Sequence, residues 1–195
     1  MRLYVKRYLL YKFLNSLFFG LSVGTIFIIY EPLKPLVYSV GGILLAFGML
    51  ALASQYRKLM NKNALFTVLL IVEVITLIIV LIFLFFQKSL LSALFIYICY
   101  QVTFLFGSYV MRVETLVLRY TKLYSLADML KQTGYLIGLG GAFACYEAFE
   151  YCEISDKIEQ VYYLHYILVV VQFIVIFCLV MSFSCNKLLR ANYMK

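Results

Sequence analysis

Apolar residues run through this chain in six long stretches, about 13–31, 36–54, 64–86, 89–111, 132–149 and 162–183, each parted from the next by a short polar break. A hydrocarbon core of roughly 30 Å needs roughly 20 helical residues to cross it, and every stretch is of that order. The runs lack the two-residue alternation of barrel strands, so helix is the spanning form they predict. The fifth is the shortest and is rich in glycine. The breaks carry turn and charge signals: Glu31-Pro32-Leu33-Lys34-Pro35, Arg57-Lys58 through Lys62-Asn63, and Gln87-Lys88-Ser89. Residues 1–12 lack a small-residue cleavage site and lead into a full-length run, so the first span is expected to be retained. The pattern predicts an all-α polytopic membrane protein in which residues 1–195 form a single six-helix domain.

Composition agrees. Apolar residues make up 65% of the chain and charged residues 13%, against about 25% charged in an ordinary soluble domain. One core of this size could not hide so much apolar surface, which argues against a soluble enzyme. The net charge of +8 is not a stripe for nucleic acid, because the cations fall between the apolar runs. Arg2, Lys6, Arg7, Lys12, Arg57, Lys58, Lys62, Arg112, Arg119, Lys122, Lys131, Lys187, Arg190 and Lys195 fall on one side of an alternating six-span topology; only Lys34, Lys88 and Lys157 fall on the other. That bias places both termini in the cytoplasm, with integration into a bacterial inner membrane expected. The loop after the fifth span is acidic instead, with Glu147, Glu150, Glu153, Asp156 and Glu159.

The two halves echo one another. Leu70-Ile71-Val72 precede Glu73 in the third span, and Val169-Val170-Val171 precede Gln172 in the sixth. Gly41 and Gly48 in the second span match Gly134 and Gly141 in the fifth, and Phe18-Phe19-Gly20 match Leu105-Phe106-Gly107. Three helices per half is an odd number, so such a repeat must be inverted in the membrane, an architecture that recurs in transporters.

The candidate chemistry centres on Glu73, about ten residues into its span and flanked by apolar neighbours. A carboxyl group at that depth is costly and is expected to face the bundle interior or a water-filled cavity. Protonation would erase its charge, which suits proton coupling; the alternative is a hydrogen bond that glues two helices. Gln172, at the matching depth, is expected to bond a substrate, Glu73 or a neighbouring helix. Tyr97, Gln101, Ser108, Arg112 and Thr115 recur on one face of the fourth span and are expected to line a cavity. Arg112 and Glu114 suit either binding of an anionic group or a gating pair with Lys131 or Asp128. Asn15 lies near the inner end of the first span. Tyrosines at span ends, Tyr11 among them, are expected as interface anchors, as is His165. A disulfide between Cys145 and Cys152 requires the helix to end between them, because seven helical residues span about 10 Å. No P-loop, dinucleotide fingerprint, paired-histidine motif or serine elbow is present, so neither an enzyme nor a cofactor is expected.

The region from about 10 to 190 resembles one half of a major facilitator superfamily transporter. The likeness rests on the Asn15-Ser16 opening with Gly20 and Gly24, the glycine-spaced second span and the basic loop after it. It continues in Arg112-Val113-Glu114-Thr115 and in Lys131-Gln132-Thr133-Gly134 with Gly138, Gly140 and Gly141. In the loop that carries the family's signature, Gly48 to Lys58, the basic end is present, but the acidic residue and second glycine are not. The resemblance implies a half-length permease for a small solute, with the spans containing Asn15 and Gln101 lining its cavity. It also implies that two copies, as a parallel dimer, rebuild the full transporter. The small-residue faces Ser16-Gly20-Gly24 and Gly134-Gly138-Gly141 suit either that dimer contact or packing within one subunit. The reading from another class is a non-transporting accessory or assembly subunit that binds another integral membrane protein.

Overall fold

The computed structural model describes residues 1–30, 33–86 and 90–184. Glu31, Pro32, the Gln87-Lys88-Ser89 turn, Cys185, Lys187, Arg190 and Lys195 lie outside the described residues. In chain order the elements are β1 (Arg2–Leu3), α1 (Val5–Tyr30), α2 (Pro35–Ser54), α3 (Tyr56–Leu59), α4 (Lys62–Phe85), α5 (Leu90–Leu118), α6 (Thr121–Tyr151), α7 (Lys157–Ser182) and β2 (Phe183–Ser184).

Local chemistry sets several ends. Pro35 stands in the first turn of α2, where its missing N–H costs no hydrogen bond. Asn61 caps α4 by accepting from the amides of Asn63 (3.1 Å) and Ala64 (2.9 Å). Arg119, with φ 57°, takes the left-handed conformation that reverses the chain between α5 and α6.

The chain is an all-helical membrane protein. α1, α2, α4, α5 and α7 are each long and apolar enough to cross a bilayer. α6 is the longest helix at 31 residues, but Lys122, Asp128, Lys131, Glu147 and Glu150 dilute its apolar character. Three helices extend well beyond the stretches read from hydropathy. α1 starts at Val5 rather than near 13, α5 continues to Leu118, and α6 starts at Thr121. Lys and Arg end an apolar run, but they are good helix formers and do not end a helix.

α1 and α6 pack in parallel. Gly134 sits against Phe13 and Leu17, Gly138 against Leu17 and Gly20, and Gly141 against Leu21. A Cβ at Gly138 would lie 2.9 Å from the Cα of Gly20 and closer still to the Leu17 carbonyl oxygen. Only glycine allows this approach. α2 and α5 are also parallel, with Gly41 against the Tyr97 ring and Gly48 against Leu105. α7 packs antiparallel to α1 and to α4, and α4 packs on α5. Peripheral α2, of whose residues only Gly41 is buried, rests chiefly on α5.

The first and last described segments meet at one end of the bundle. β1 pairs antiparallel with β2, Arg2 opposite Ser184 and Leu3 opposite Phe183. The Tyr4 amide continues the clasp to the Ser182 carbonyl at 2.9 Å. Beside a small cluster of Leu33, Ala93 and Tyr97, two apolar layers fill the interior. One includes Phe18, Leu65, Leu69, Val113 and Leu179; the other includes Ile29, Ile79, Phe83, Ile96 and Val161. Glu73 lies on α4 between Leu69 of the first layer and Ile79 of the second.

Candidate functional site

Because α1 begins at Val5, residues 8, 11, 12 and 15 stand on one helical face. Each points a polar group at the interior. The Tyr11 hydroxyl donates to Glu73 Oε1 at 2.6 Å, and the Asn15 amide donates to the Tyr11 oxygen at 3.4 Å. From α7, Gln172 Nε2 donates to Glu73 Oε2 at 2.8 Å and to the Glu73 main-chain carbonyl at 2.9 Å. Glu73 is 1% exposed and Gln172 is fully enclosed. α4 thus holds a carboxyl group in the apolar interior because donors on two other helices meet both of its oxygens.

A second carboxylate lies one turn of α1 away. Glu114 on α5, also buried, accepts from the Tyr8 hydroxyl and forms an ion pair with Lys12 at 2.7 Å. The Tyr8 and Tyr11 rings are 5.7 Å apart between centroids, so the two carboxyl sites are bridged by a pair of packed phenols. The expected gating pair of Arg112 and Glu114 with Asp128 and Lys131 is therefore corrected: the cation at Glu114 is Lys12. Arg112 takes no part, because residues two apart on a helix face different ways. Its exposed guanidinium lies 5.6 Å from the centre of the Tyr56 ring.

Glu73 borders a cleft of about 280 Å³ between α1 and α5, together with Tyr11, Lys12, Asn15, Ser16 and Lys131. A second cleft of about 370 Å³ between α1, α5 and α6 shares Ser16, Phe19, Phe104 and Lys131 with it. The two adjoin along that shared wall.

The predicted polar stripe divides. Tyr97 and Gln101 face α2 and line an apolar groove of about 170 Å³, where Gln101 Oε1 is buried with no hydrogen-bond partner among the described residues. Thr115 is exposed and bonds the Arg112 carbonyl at 2.7 Å. The face of α5 toward Glu73 instead carries Thr103, Phe104, Gly107, Val110 and Met111. Gln101 and Arg112 are thus separated from the Glu73 cleft, whereas Glu73, Gln172, Asn15 and Glu114 are brought together.

Other expectations are corrected too. Tyr11 is a fully buried donor, not an interface anchor. His165 is 2% exposed, stacked on Phe83 with centroids 4.2 Å apart, and its Nδ1 lies 2.7 Å from the Val161 carbonyl. Cys145 and Cys152 are free thiols, and α6 runs unbroken to Tyr151, which keeps them about 10 Å apart along the helix. Among the described residues no three His, Cys, Asp or Glu side chains gather for a metal. The small-residue faces meet each other within the chain: Gly20 packs on Gly138, and Gly24 lies beside Tyr146.

Sequence reasoning missed Tyr8 and Lys12 as site residues. The available signal was their spacing with Tyr11 and Asn15, three, four and seven residues on from position 8.

With this geometry in view, the chain was compared with known proteins. No protein family, curated protein or solved structure matches it.

Proposed function

We propose that this protein is a half-length permease of the bacterial inner membrane that moves a small solute coupled to protons through Glu73. In this reading it has six spans, α6 being the fifth, arranged as two inverted three-helix repeats with both termini cytoplasmic. Two copies form a parallel homodimer.

The observation that carries the reading is the setting of Glu73. Its carboxyl group is buried in the apolar interior, held from two other helices, and still borders a cleft with Lys12, Asn15 and Lys131. An intramembrane acid on a cavity wall is suited to exchange a proton as the cavity changes access.

The helix pairings support the repeat. Exchanging α1 with α5, α2 with α6 and α4 with α7 turns the parallel pair α1–α6 into the parallel pair α5–α2, and α1–α7 into α5–α4. Gln172 and Glu73, equivalent between the halves, then meet at the axis relating them. Both glycine pairs of the echo, Gly41 with Gly48 and Gly134 with Gly141, face the corresponding partner helix.

The test is proton movement in proteoliposomes that enclose a pH-sensitive dye and are challenged with a panel of small solutes. One class of solute is expected to drive acidification, and Glu73→Gln is expected to abolish it. Undiminished solute-driven proton entry in that variant overturns the coupling. Stoichiometric capture of a different integral membrane protein, with no solute-driven flux, supports the accessory role instead.

A further inference from the structure

The clefts beside Glu73 hold a cation that nothing nearby balances. Lys12 is neutralised by Glu114 at 2.7 Å. Lys131 borders both clefts and, among the described residues, has no carboxylate within ion-pair distance. Asp128, one turn before it on α6, is exposed at the surface. With Glu73 protonated, the residues around the clefts therefore carry one net positive charge, and that charge sits against apolar walls. A half-buried ammonium on the rim of an apolar cleft, without a carboxylate partner, offers a charge-assisted bond to an anion that enters.

The walls restrict what that anion can be. Phe19 and Phe104 are common to both clefts, and Tyr135 closes the second. Volumes of about 280 and 370 Å³ fall on either side of the lower limit of the ligand-pocket range of about 300–1,000 Å³. They suit a single ring or a short branched chain rather than a peptide or an oligosaccharide. Asn15 offers an amide at the edge of the same space, its only acceptor among the described residues being Tyr11 at a long 3.4 Å.

We infer that the clefts bind a small organic monocarboxylate, its carboxylate paired with Lys131 and its apolar body laid against Phe19, Phe104 and Tyr135. This inference rests on the permease reading and supplies its solute class. It also gives the proton a purpose. The groups facing Glu73 are Tyr11 and Lys12 from α1 and Gln172 from α7, with Glu114 of α5 held behind Lys12 and Lys131 of α6 on the shared cleft. Glu73 and Lys131 line the same cleft, so an ionised Glu73 cancels the cleft's net charge and repels a second anion, whereas a protonated Glu73 leaves one net positive charge for an anion to meet. Proton and carboxylate thus load together, and the loaded site is electrically neutral.

The experiment uses the full chain in lipid nanodiscs and matched acid–amide pairs: benzoate with benzamide, phenylacetate with phenylacetamide, and 3-methylbutanoate with 3-methylbutanamide. At least one acid is expected to bind roughly tenfold or more tightly than its amide, a difference one charge-assisted bond supplies. Lys131→Gln is expected to erase that preference and Lys131→Arg to keep it, with the unfolding midpoint of each variant confirming an intact fold. Equal affinity for acids and amides, no binding of any acid, or a preference that survives Lys131→Gln overturns the inference. Uptake into proteoliposomes separates this outcome from the fate of the permease reading. An acid that binds through Lys131 but is never accumulated leaves the anion site standing and removes transport. Glu73-dependent uptake of a neutral or cationic solute, with no acid bound, leaves transport standing and removes the anion site.

Discussion

Gln172 holds Glu73 twice, its one amide nitrogen reaching the carboxylate at 2.8 Å and the main-chain carbonyl at 2.9 Å across 99 residues of sequence. The two hydrogen bonds, one to the side chain and one to the backbone, fix both the depth of α7 against α4 and the direction of the carboxyl group. Gln172→Leu keeps the bulk and removes both donors. It is expected to destabilise the fold by about 1–3 kcal/mol, the cost of leaving buried acceptors unpaired, as read by denaturant unfolding in detergent.

Lys12 and Glu114 form a buried pair, and such pairs are worth little in total but costly to break. Lys12→Met leaves the Glu114 carboxylate with only the Tyr8 hydroxyl and is expected to cost about 3–5 kcal/mol. Adding Glu114→Gln to Lys12→Met is expected to restore much of that loss. A double-mutant cycle on unfolding free energies measures the coupling; simple additivity would show that the pair is exposed to water in the membrane.

Two glycines on the same helix are expected to behave in opposite ways. Gly138→Ala puts a Cβ onto the Leu17 carbonyl and the Gly20 Cα, forcing α1 and α6 apart. A loss of about 1–3 kcal/mol is expected, the usual range for overpacking. At Gly140 a Cβ meets nothing within 4 Å. Gly140→Ala is expected to leave stability unchanged or to raise it by up to about 1 kcal/mol through helix propensity.

The orientation has a chemical test at Cys152, which is exposed and caps the C-terminal end of α6. In a variant with every other cysteine replaced by serine, a membrane-impermeant maleimide is expected to label Cys152 in intact spheroplasts. A cysteine introduced at Lys58 is expected to react only after the membrane is permeabilised. The reverse pattern would turn the protein over.

The sequence made Glu73 and Gln172 visible because a polar side chain inside a long apolar run has few innocuous explanations. Hydropathy likewise made the spans visible, although it truncated α1, α5 and α6 wherever lysine or arginine interrupted the run. That truncation concealed the site. Tyr8, Tyr11 and Lys12 sit among Lys6, Arg7 and other residues that look like a cytoplasmic margin. Nothing local distinguishes a tyrosine that anchors at the headgroups from one that donates to a buried acid. Only the packing that brings α1 against Glu73 of α4 and Glu114 of α5, 62 and 106 positions from Tyr11 and Tyr8, tells them apart. The stripe on α5 misled for the converse reason: its spacing is helical and its members share a face, but α2 covers part of that face while the cleft lies on another. The glycine faces were legible as close-contact surfaces, and the fold resolves their partner as the other half of the same chain.

The parallel seam between α1 and α6 joins two helices that leave the ribosome far apart, with α2, α4 and α5 made between them. Until α6 emerges, the nascent α1 has its small-residue groove open, and α2, α4, α5 and α6 must all be made before α7 completes the enclosure of Tyr11. Insertion of this protein therefore cannot finish helix by helix. The early segments are held provisionally, and a truncation before Gly134 would leave α1 without its closest neighbour.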